Sequence, residues 1–309
     1  MATPKRIMVV VDPTAKDHPA VGRAAWLATK MGASLHLSVC DYIQYTAGEN
    51  MFFDVGVLEA TRNDLLKAQE GRLEELAAPL RSQGLEVSVE AHWDYPLHEG
   101  ILREIEANEP DLVVKDTHYH SAIKRSVFSN TDWNLMRKCP VPLLLVKPIQ
   151  FGDRISIVAA VDPVHEHDKP ARLDHKILDT AQALGALTGG DVHVIHAFDP
   201  AGRYVMSAGS MGMAPAIPIE DLVGSLRTQH VEAVDRLMGD YSTISRENIH
   251  LLEGEPRELI VDRAATLNAD IVILGAVSRG ALKRFVMGST AEQVLDRIPC
   301  DLLIVKPDK

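Results

Sequence analysis

The sequence predicts two copies of one α/β domain, each a parallel β-sheet with helices on both faces. One observation is a long internal repeat, which assigns the same fold to both halves of the chain. Another is the regular alternation of short β-branched runs with segments of helical periodicity, which is typical of strands buried on both faces. A chain of 309 residues is also long enough for two domains, each with a core of its own.

The repeat is visible in three pairs of segments that follow the same order in each half. These pairs are "RIMVVVDP" (6–13) with "RISIVAAVDP" (154–163), "KRSVFSNT" (124–131) with "KRFVMGST" (283–290), and "LLLVKP" (143–148) with "LLIVKP" (302–307). A period of about 155 residues indicates two domains and not a solenoid. The boundary falls in the polar segment "KPIQFGDR", so we assign the domains to residues 1–150 and 151–309.

The second copy shows the alternation of elements most clearly. The predicted strands are 155–161, 191–198, 249–254, 270–275 and 301–306, and the predicted helices are 170–189, 219–239, 256–268 and 290–298. In the first of these helices Ile177, Ala181, Leu184 and Leu187 recur at helical spacing, and a Gly-Gly pair follows as a stop signal. These features predict strands and helices that alternate along the chain, as in parallel sheets.

Composition and charge narrow the class of protein. A hydrophobic content of 46% with 24% charged residues indicates a folded chain. The net charge of −11 disfavours general binding of nucleic acid or of anionic membranes, because both would be repelled. Three widely spaced cysteines, no apolar run of about 18 residues and a short apolar run at the N-terminus lead us to expect a cytoplasmic protein.

The predicted sheet places a candidate ligand crevice in the second copy. In doubly wound sheets ligands bind beyond the carboxyl ends of the strands, where the direction of winding reverses. Asp162 follows the first strand of this copy, and Gly275 ends the fourth. If these two strands are neighbours, both residues line that crevice.

A glycine-bounded stretch, "GAVSRGALKRFVMGSTAEQV" (275–294), leads from the fourth strand into the last helix. The first turn of a helix presents N–H groups and positive potential to a phosphate, and Gly288 would allow close approach. Ser289 and Thr290 add hydroxyl groups at the same place. A second interpretation stays open, because Ser289 and Glu292 also form a capping-box pattern that can start any helix.

These residues resemble the ATP-binding motif of the universal stress protein family, which is Gly, two residues, Gly, nine residues, Gly, then Ser or Thr. The strand-Asp-Pro opening of each half and the tandem arrangement resemble two-domain members of that family over nearly the whole chain. The resemblance implies a Rossmann-like domain of five parallel strands, in the order 3-2-1-4-5, in each half. It also implies that the halves pack as an intramolecular pseudo-dimer through their last strands, with a further homodimer as an open possibility.

The resemblance also assigns roles to individual residues of the second half. It places Val161, Asp162 and Ala197 at the adenine, Leu274 and Gly275 at the ribose, and Gly288, Ser289 and Thr290 at the phosphates.

One position departs from the family motif. Ser278 occupies the second glycine position, where a side chain disfavours positive φ. Arg279 has no counterpart in the first half and is a further phosphate candidate.

The first half lacks this motif. We match Lys115 to the leading glycine, His118 to the second motif position and Ser129 to the third. Asp132 falls where the second half has Ala291, in the first turn of the last helix. A carboxylate there stabilises the helix N-terminus and repels phosphate, so we expect the first half not to bind nucleotide.

The sequence therefore favours a stress-response protein that binds ATP, ADP or AMP, with Mg²⁺ carried by the nucleotide, as a regulatory ligand of the second half. No nucleophile motif is present, so any ATP hydrolysis is expected to be slow. Two alternatives remain: a carrier of an apolar or acyl ligand, suggested by the methionine-rich segment 201–218, and a ligand-free scaffold for unidentified protein partners. The histidines of "THYH" (117–120) and "VHEHDKP" (164–170) match no tight metal-ligand spacing, so no metal site is assigned.

Overall fold

The computed structural model describes residues 4–42, 55–120, 125–127, 129–152, 154–164, 172–199, 219–278, 285–286 and 297–307. The chain divides into two compact units, Ala2–Pro148 and Ile149–Lys309. We call them unit 1 and unit 2 and describe each by itself. Each unit has the α/β fold that the repeat predicts.

Unit 1 alternates strands and helices along its whole length. Its elements are β1 (Arg6–Val10), α1 (Pro19–Met31), β2 (Ser34–Asp41), α2 (Val55–Ser82), β3 (Val87–Trp93), α3 (Leu97–Asn108), β4 (Leu112–Asp116), β5 (His118–His120), β6 (Arg125–Val127), α4 (Asn130–Lys138) and β7 (Leu143–Val146). Strand β1 pairs with β2 and β4, β2 pairs with β3, and β4 pairs with β7, all in parallel. The strand order is therefore β3-β2-β1-β4-β7, while β5 and β6 form a separate antiparallel ribbon.

Unit 2 repeats this arrangement. Its elements are β8 (Ser156–Ala160), α5 (Leu173–Thr188), β9 (Asp191–Phe198), α6 (Ile219–Met238), β10 (Ile249–Glu253), α7 (Pro256–Thr266), β11 (Ile271–Gly275), β12 (Val277–Ser278), β13 (Phe285–Val286) and β14 (Asp301–Val305). The parallel pairs β8–β9, β9–β10, β8–β11 and β11–β14 give the order β10-β9-β8-β11-β14. The predicted last helix, 290–298, lies mostly outside the described residues.

The strands form on largely apolar segments, such as LVVKD in β4 and DLLIV in β14. All five residues of each of these strands are buried, as expected in a parallel sheet covered on both faces. In α5, Ile177, Ala181 and Leu184 are buried as the helical spacing predicts, whereas Leu187 is partly exposed.

Glycines end two equivalent helices. Gly32 follows α1 at φ +64°, and Gly189 follows α5 at φ +70°, so both adopt the left-handed conformation that terminates a helix. The Gly-Gly stop predicted for α5 is thus confirmed.

Two properties of the described residues bear on the class of protein. No helix among them is both long and apolar enough to cross a bilayer. All three cysteines are buried and none of them forms a disulfide bond, as expected for small apolar side chains. Burial, reinforced by the carboxylates of Asp94 and Asp41, raises the pKa of Cys40 to about 12, so this thiol is a poor nucleophile.

Candidate functional site

The candidate crevice of unit 2 lies at the carboxyl ends of β8, β9 and β11. Strand β8 pairs with both of the others, through Ala160↔Ile195 on one side and Ala159↔Ile273 on the other. The ends of three neighbouring strands therefore meet at one edge of the sheet, where doubly wound folds bind ligands.

The residues assigned to adenine and ribose lie at this edge. Val161 and Asp162 directly follow β8, Ala197 is the penultimate residue of β9, and Leu274 and Gly275 end β11. Val161 and Leu274 are buried, while the other three are partly exposed. The five positions predicted from separate parts of the sequence are thus brought to neighbouring strand ends.

The backbone of Asp162 is held by a carboxylate that the sequence analysis missed. The amide of Asp162 donates a hydrogen bond of 3.0 Å to Oδ1 of Asp174, a buried residue in the first turn of α5. The amide of Val161 donates to the carbonyl of Ile195 at 3.0 Å. The chain that leaves β8 is therefore fixed on both sides before it turns away from the sheet.

A buried histidine pair fixes the carbonyl group of Val161. Nδ1 of His196 lies 3.0 Å from this carbonyl oxygen and must donate to it, because a carbonyl only accepts. Nε2 of His196 lies 2.7 Å from Nδ1 of His230, and the ring of Phe198 stacks on His230 with 4.0 Å between centroids. The pair connects the crevice to α6, and no local motif in the sequence indicates it.

The glycine at position 275 is required by packing of the helix above it. A Cβ at Gly275 would lie 2.8 Å from Cδ2 of Leu173 and 3.1 Å from Cδ1 of Ile177, both on α5. The first distance is shorter than real Cβ contacts, so a side chain at 275 would require the Leu173 side chain to move. Gly275 therefore has a structural role whether or not a ribose lies beside it.

The remaining motif positions are only partly described. The backbone of Ser278 belongs to β12 and pairs with Phe285 of β13. An L-residue adopts a strand conformation without strain, so serine at this position needs no positive φ. Arg279, Gly288, Ser289 and Thr290 lie outside the described residues.

The register of unit 1 corrects one alignment made from the sequence. Lys115 pairs with Leu145 of β7, and Asp116 pairs with Val146. In unit 2 the corresponding pairs are Leu274 with Ile304 and Gly275 with Val305, as the repeated "LLLVKP" and "LLIVKP" segments show.

The residue at the glycine position of unit 1 is thus Asp116, and the match of Lys115 to that glycine is wrong by one residue. The same shift places Tyr119, and not His118, at the position of Ser278, because His118 pairs with Val127 as Val277 pairs with Val286.

The side chain of Asp132 forms hydrogen bonds at the start of α4 in unit 1, as the sequence predicts. Its Oδ2 accepts hydrogen bonds from the amide of Ser129 at 2.8 Å and from the Ser129 hydroxyl at 2.9 Å. Its own amide donates to Oγ of Ser129 at 3.2 Å, which completes a capping box. The side chain of Asp132 is fully buried. The negative charge at the start of this helix is therefore supplied by the protein and not by a bound anion.

Lys115 neutralises this buried carboxylate. Its ammonium lies 2.8 Å from Oδ1 of Asp132, and its side chain is 7% exposed. The same ammonium donates to the carbonyl of Asp116 at 2.9 Å. The positions of Lys115 and Asp132 carry Leu274 and Ala291 in unit 2, so unit 2 has neither member of this ion pair.

Asp116 caps the first helix of unit 1. Its Oδ1 accepts a hydrogen bond of 2.6 Å from the amide of Ala20, near the start of α1. Burial raises the pKa of Asp116 to about 6 despite this hydrogen bond. Helix α1 has 13 residues whereas α5 has 16 and starts a turn earlier, with Leu173 lying over Gly275. A carboxylate in unit 1 thus occupies the place that an apolar side chain takes in unit 2.

Two doubly wound α/β units in tandem, each with its sheet centred on a strand that is followed, after one intervening residue, by Asp-Pro, define the class of this protein. The sequence profile of the Universal stress protein family matches residues 3–147 and 157–306. The chain therefore belongs to the Universal stress protein family, with one domain of the family in each half.

Two relatives match this chain over its full length. The chain is 30% identical to Universal stress protein E of Salmonella typhi over 313 aligned residues, which cover 100% of this chain and 96% of the relative. It is 28% identical to Universal stress protein E of Escherichia coli K12 with the same coverage.

Among solved structures, a functionally unknown protein of Pseudomonas aeruginosa PAO1 is similar, with 28% identity and a TM-score of 0.73. The match covers 99% of this chain and 93% of that one. A universal stress protein of Archaeoglobus fulgidus shares the fold, with a TM-score of 0.69 at 15% identity and complete coverage of both chains.

Proposed function

We propose that unit 2 binds an adenine nucleotide at the carboxyl ends of β8, β9 and β11, and that unit 1 does not. The observation that carries this proposal is the difference between equivalent positions of the two units. Unit 1 holds a buried Lys115–Asp132 ion pair at the start of its last helix. Unit 2 has the uncharged residues Leu274 and Ala291 there, so a negative ligand meets no carboxylate at either position.

The adenine end of the site is preorganised by contacts that do not involve the ligand. His196 holds the carbonyl of Val161, and Asp174 holds the amide of Asp162. A fixed backbone beside the base reduces the ordering cost of binding. In this proposal Val161, Asp162 and Ala197 border the adenine.

The sugar and phosphates lie along β11 and the glycine stretch that follows it. Leu274 and Gly275 border the ribose, and Gly288, Ser289 and Thr290 hold the phosphates through backbone amides and hydroxyls. Ser278 and Arg279 lie between these segments, where the guanidinium of Arg279 can pair with a phosphate oxygen. A divalent ion such as Mg²⁺ enters with the nucleotide, since it needs few protein ligands.

The nucleotide acts as a regulatory ligand and not as a substrate of rapid turnover. The sequence contains no Gly-x-Ser-x-Gly motif and no Walker Gly-Lys-Ser/Thr motif, so we expect any ATP hydrolysis to be slow. Binding then alters stability and the order of the surrounding segments, and so the choice of protein partner. The methionine-rich segment 201–218, on which the apolar-ligand alternative depends, lies outside the described residues, and that alternative stays a prediction.

A thermal-unfolding titration with ATP, ADP and AMP tests the proposal. A nucleotide at 100 times its dissociation constant stabilises the native state by about 2.7 kcal/mol, which raises the melting temperature by several degrees. Gly288→Glu places a carboxylate where the phosphates bind and should abolish the shift. As a control, Ser129→Ala at the equivalent position of unit 1 should leave the shift in melting temperature unchanged. No shift of the wild-type protein at millimolar nucleotide would rule out the proposal.

A further inference from the structure

A cluster of two histidines and two glutamates lies in unit 1, away from the strand ends discussed above. His36 is on β2, Glu90 and His92 are on β3, and Glu104 is on α3. The register pairs His36 with Ser88 and Ser38 with Glu90, so His36 and Glu90 project from the same face of the sheet. Potential ligand atoms of His36, Glu90 and Glu104 all lie within 4.8 Å of one another.

The ring of His36 directs an unpartnered nitrogen into this cluster. The residue is 5% exposed, and its Nδ1 lies 2.9 Å from Oγ of Ser88. The hydroxyl of Ser88 donates to the carbonyl of Leu35 at 3.4 Å, so Oγ accepts from Nδ1–H of His36. In the neutral ring this tautomer leaves the lone pair on Nε2.

Nε2 of His36 is buried and has no hydrogen-bond partner among the described residues. It lies 4.0 Å from Oε2 of Glu90. The lone pair on Nε2 of His36 and the carboxylate of Glu90 are both electron-rich. A cation between these two groups stabilises their arrangement. The Nδ1–H contact to Ser88 also fixes ring orientation in the way that metal-ligating histidines require.

The carboxylate of Glu104 is oriented by Asn108 and lies close to the ring of His92. Its Oε2 lies 2.8 Å from Nε2 of His92 and accepts from Nδ2 of Asn108 at 3.1 Å. The side chain of Glu104 is 14% exposed, whereas that of Glu90 is 51% exposed and free to adjust. The cluster thus combines two positioned groups with one adaptable carboxylate at the solvent edge.

The equivalent positions in unit 2 provide an internal comparison. His193 corresponds to His36, and His250 corresponds to Glu90, because Ile249 pairs with Val194 as Val89 pairs with Leu37. Nε2 of His250 lies 3.3 Å from Nδ1 of His193, so the equivalent positions of unit 2 hold two neighbouring imidazoles and no carboxylate.

The helix beside this cluster carries an acidic residue in unit 1 and a basic residue at the equivalent position of unit 2. Arg263 stands eight residues before β11, as Glu104 stands eight residues before β4. A cation therefore takes the place of a carboxylate. Unit 1 has a ligand set of nitrogen and oxygen atoms that suits a positive ion, and unit 2 does not.

We propose that His36, Glu90 and Glu104 of unit 1 bind a divalent transition-metal ion, with Asn108 positioning Glu104. Imidazole and carboxylate ligands suit zinc, with bonds of about 2.0–2.2 Å that place ligand atoms about 3.3 Å apart. The observed 4.0 Å between His36 and Glu90 closes to this value with a small rotation of the exposed glutamate. This site is independent of the nucleotide proposal, since it uses none of the same residues.

A zinc titration of the full chain tests the site. The protein is stripped with a chelator, and its affinity and stoichiometry for Zn²⁺ are measured by calorimetry without nucleotide. We expect one high-affinity equivalent in the wild-type protein. Glu90→Gln and Glu104→Gln should each weaken its binding at least about 10-fold. Glu106→Gln, an exposed acid on the same helix, is the matched control and should bind as the wild type does.

Two further variants complete the zinc titration. His36→Gln should remove the high-affinity equivalent, and Glu90→Gln remains informative if that buried change prevents folding, because Glu90 is exposed. His193→Gln in unit 2 should leave zinc binding unchanged. The proposal is overturned if the wild-type protein binds no zinc tightly, or if Glu90→Gln and Glu104→Gln bind zinc as tightly as the wild type.

Discussion

The ammonium of Lys115 lies 2.8 Å from a carboxylate oxygen of Asp132, and both side chains are buried. Removing one partner of a buried ion pair leaves an uncompensated charge, which is strongly destabilising. We expect Lys115→Leu to lower the free energy of unfolding by about 3–5 kcal/mol, measured by urea denaturation.

The double variant Lys115→Leu/Asp132→Ala carries the residues of unit 2 and should recover most of that loss, because no charge remains buried. Asp132→Ala alone also removes a capping residue, so the double-mutant cycle separates the two effects. A single Lys115→Leu change that left stability unaltered would contradict the buried ion pair.

Asp116 should make stability depend on pH. Its pKa is raised to about 6 from a usual value near 3.8, chiefly by burial, so the folded state binds this proton more tightly than the unfolded state does. Its contribution to stability therefore falls as pH rises from about 4 to 6, and stays low above 6.

We expect Asp116→Asn to raise the free energy of unfolding by about 1–3 kcal/mol at pH 7.5. The gain should vanish near pH 4, because the Asp116 side chain is then protonated and uncharged, as the asparagine side chain is. Asp64→Asn, the same change at an exposed site on α2, is the control and should show no such pH dependence. An equal effect of Asp116→Asn at both pH values would argue against a raised pKa of the Asp116 carboxyl group.

Gly275 should tolerate no side chain. Because a Cβ would lie 2.8 Å from Leu173, Gly275→Ala is expected to destabilise unit 2 by about 1–3 kcal/mol in thermal or urea unfolding. Leu173→Ala in the same chain should relieve part of this effect.

Gly71→Ala is the control, since a Cβ there meets nothing within 4 Å and alanine favours the helix. If Gly275→Ala were as harmless as Gly71→Ala, close packing of α5 on β11 would not explain the glycine.

The histidine pair should support the backbone beside the crevice. His196→Leu removes the donor to the carbonyl of Val161 and should lower the free energy of unfolding by about 1–3 kcal/mol. His196→Asn keeps an N–H donor in a similar position and should be milder. Equal losses for the two variants would show that packing, and not the hydrogen bond, is what His196 provides.

Much of the fold could be predicted from local patterns. The repeated strand-Asp-Pro and "LLLVKP" segments identified two copies, and the β-branched runs marked strands that prove to be buried on both faces. The Gly-Gly stop located the end of α5 because left-handed glycine terminates helices locally. The carboxylate at Asp132 was recognised for the same reason, since a capping box depends on residues three positions apart.

What could not be predicted depends on contacts between distant residues. His196 lies 35 positions from Val161, and no periodicity connects them. The assignment of Lys115 to the glycine position failed because a lysine inside a strand breaks the apolar pattern that would have set the register. The methylene chain of Lys115 is buried, as is Leu274 at the equivalent position of unit 2, while its ammonium group lies beside Asp132. The cluster of His36, Glu90 and Glu104 was missed because its residues come from two strands and a helix rather than from one spaced motif.

We propose that each chain binds one nucleotide, in unit 2, because in unit 1 the carboxylate of Asp132 already occupies the start of the last helix. Equilibrium dialysis with labelled ATP measures this directly, in the wild-type protein and in Leu274→Lys/Ala291→Asp, which places the unit 1 residues in unit 2. We predict one bound nucleotide per wild-type chain and none in the double variant, provided that thermal unfolding shows it to be folded. Two nucleotides per wild-type chain, or undiminished binding by the folded double variant, would contradict the account.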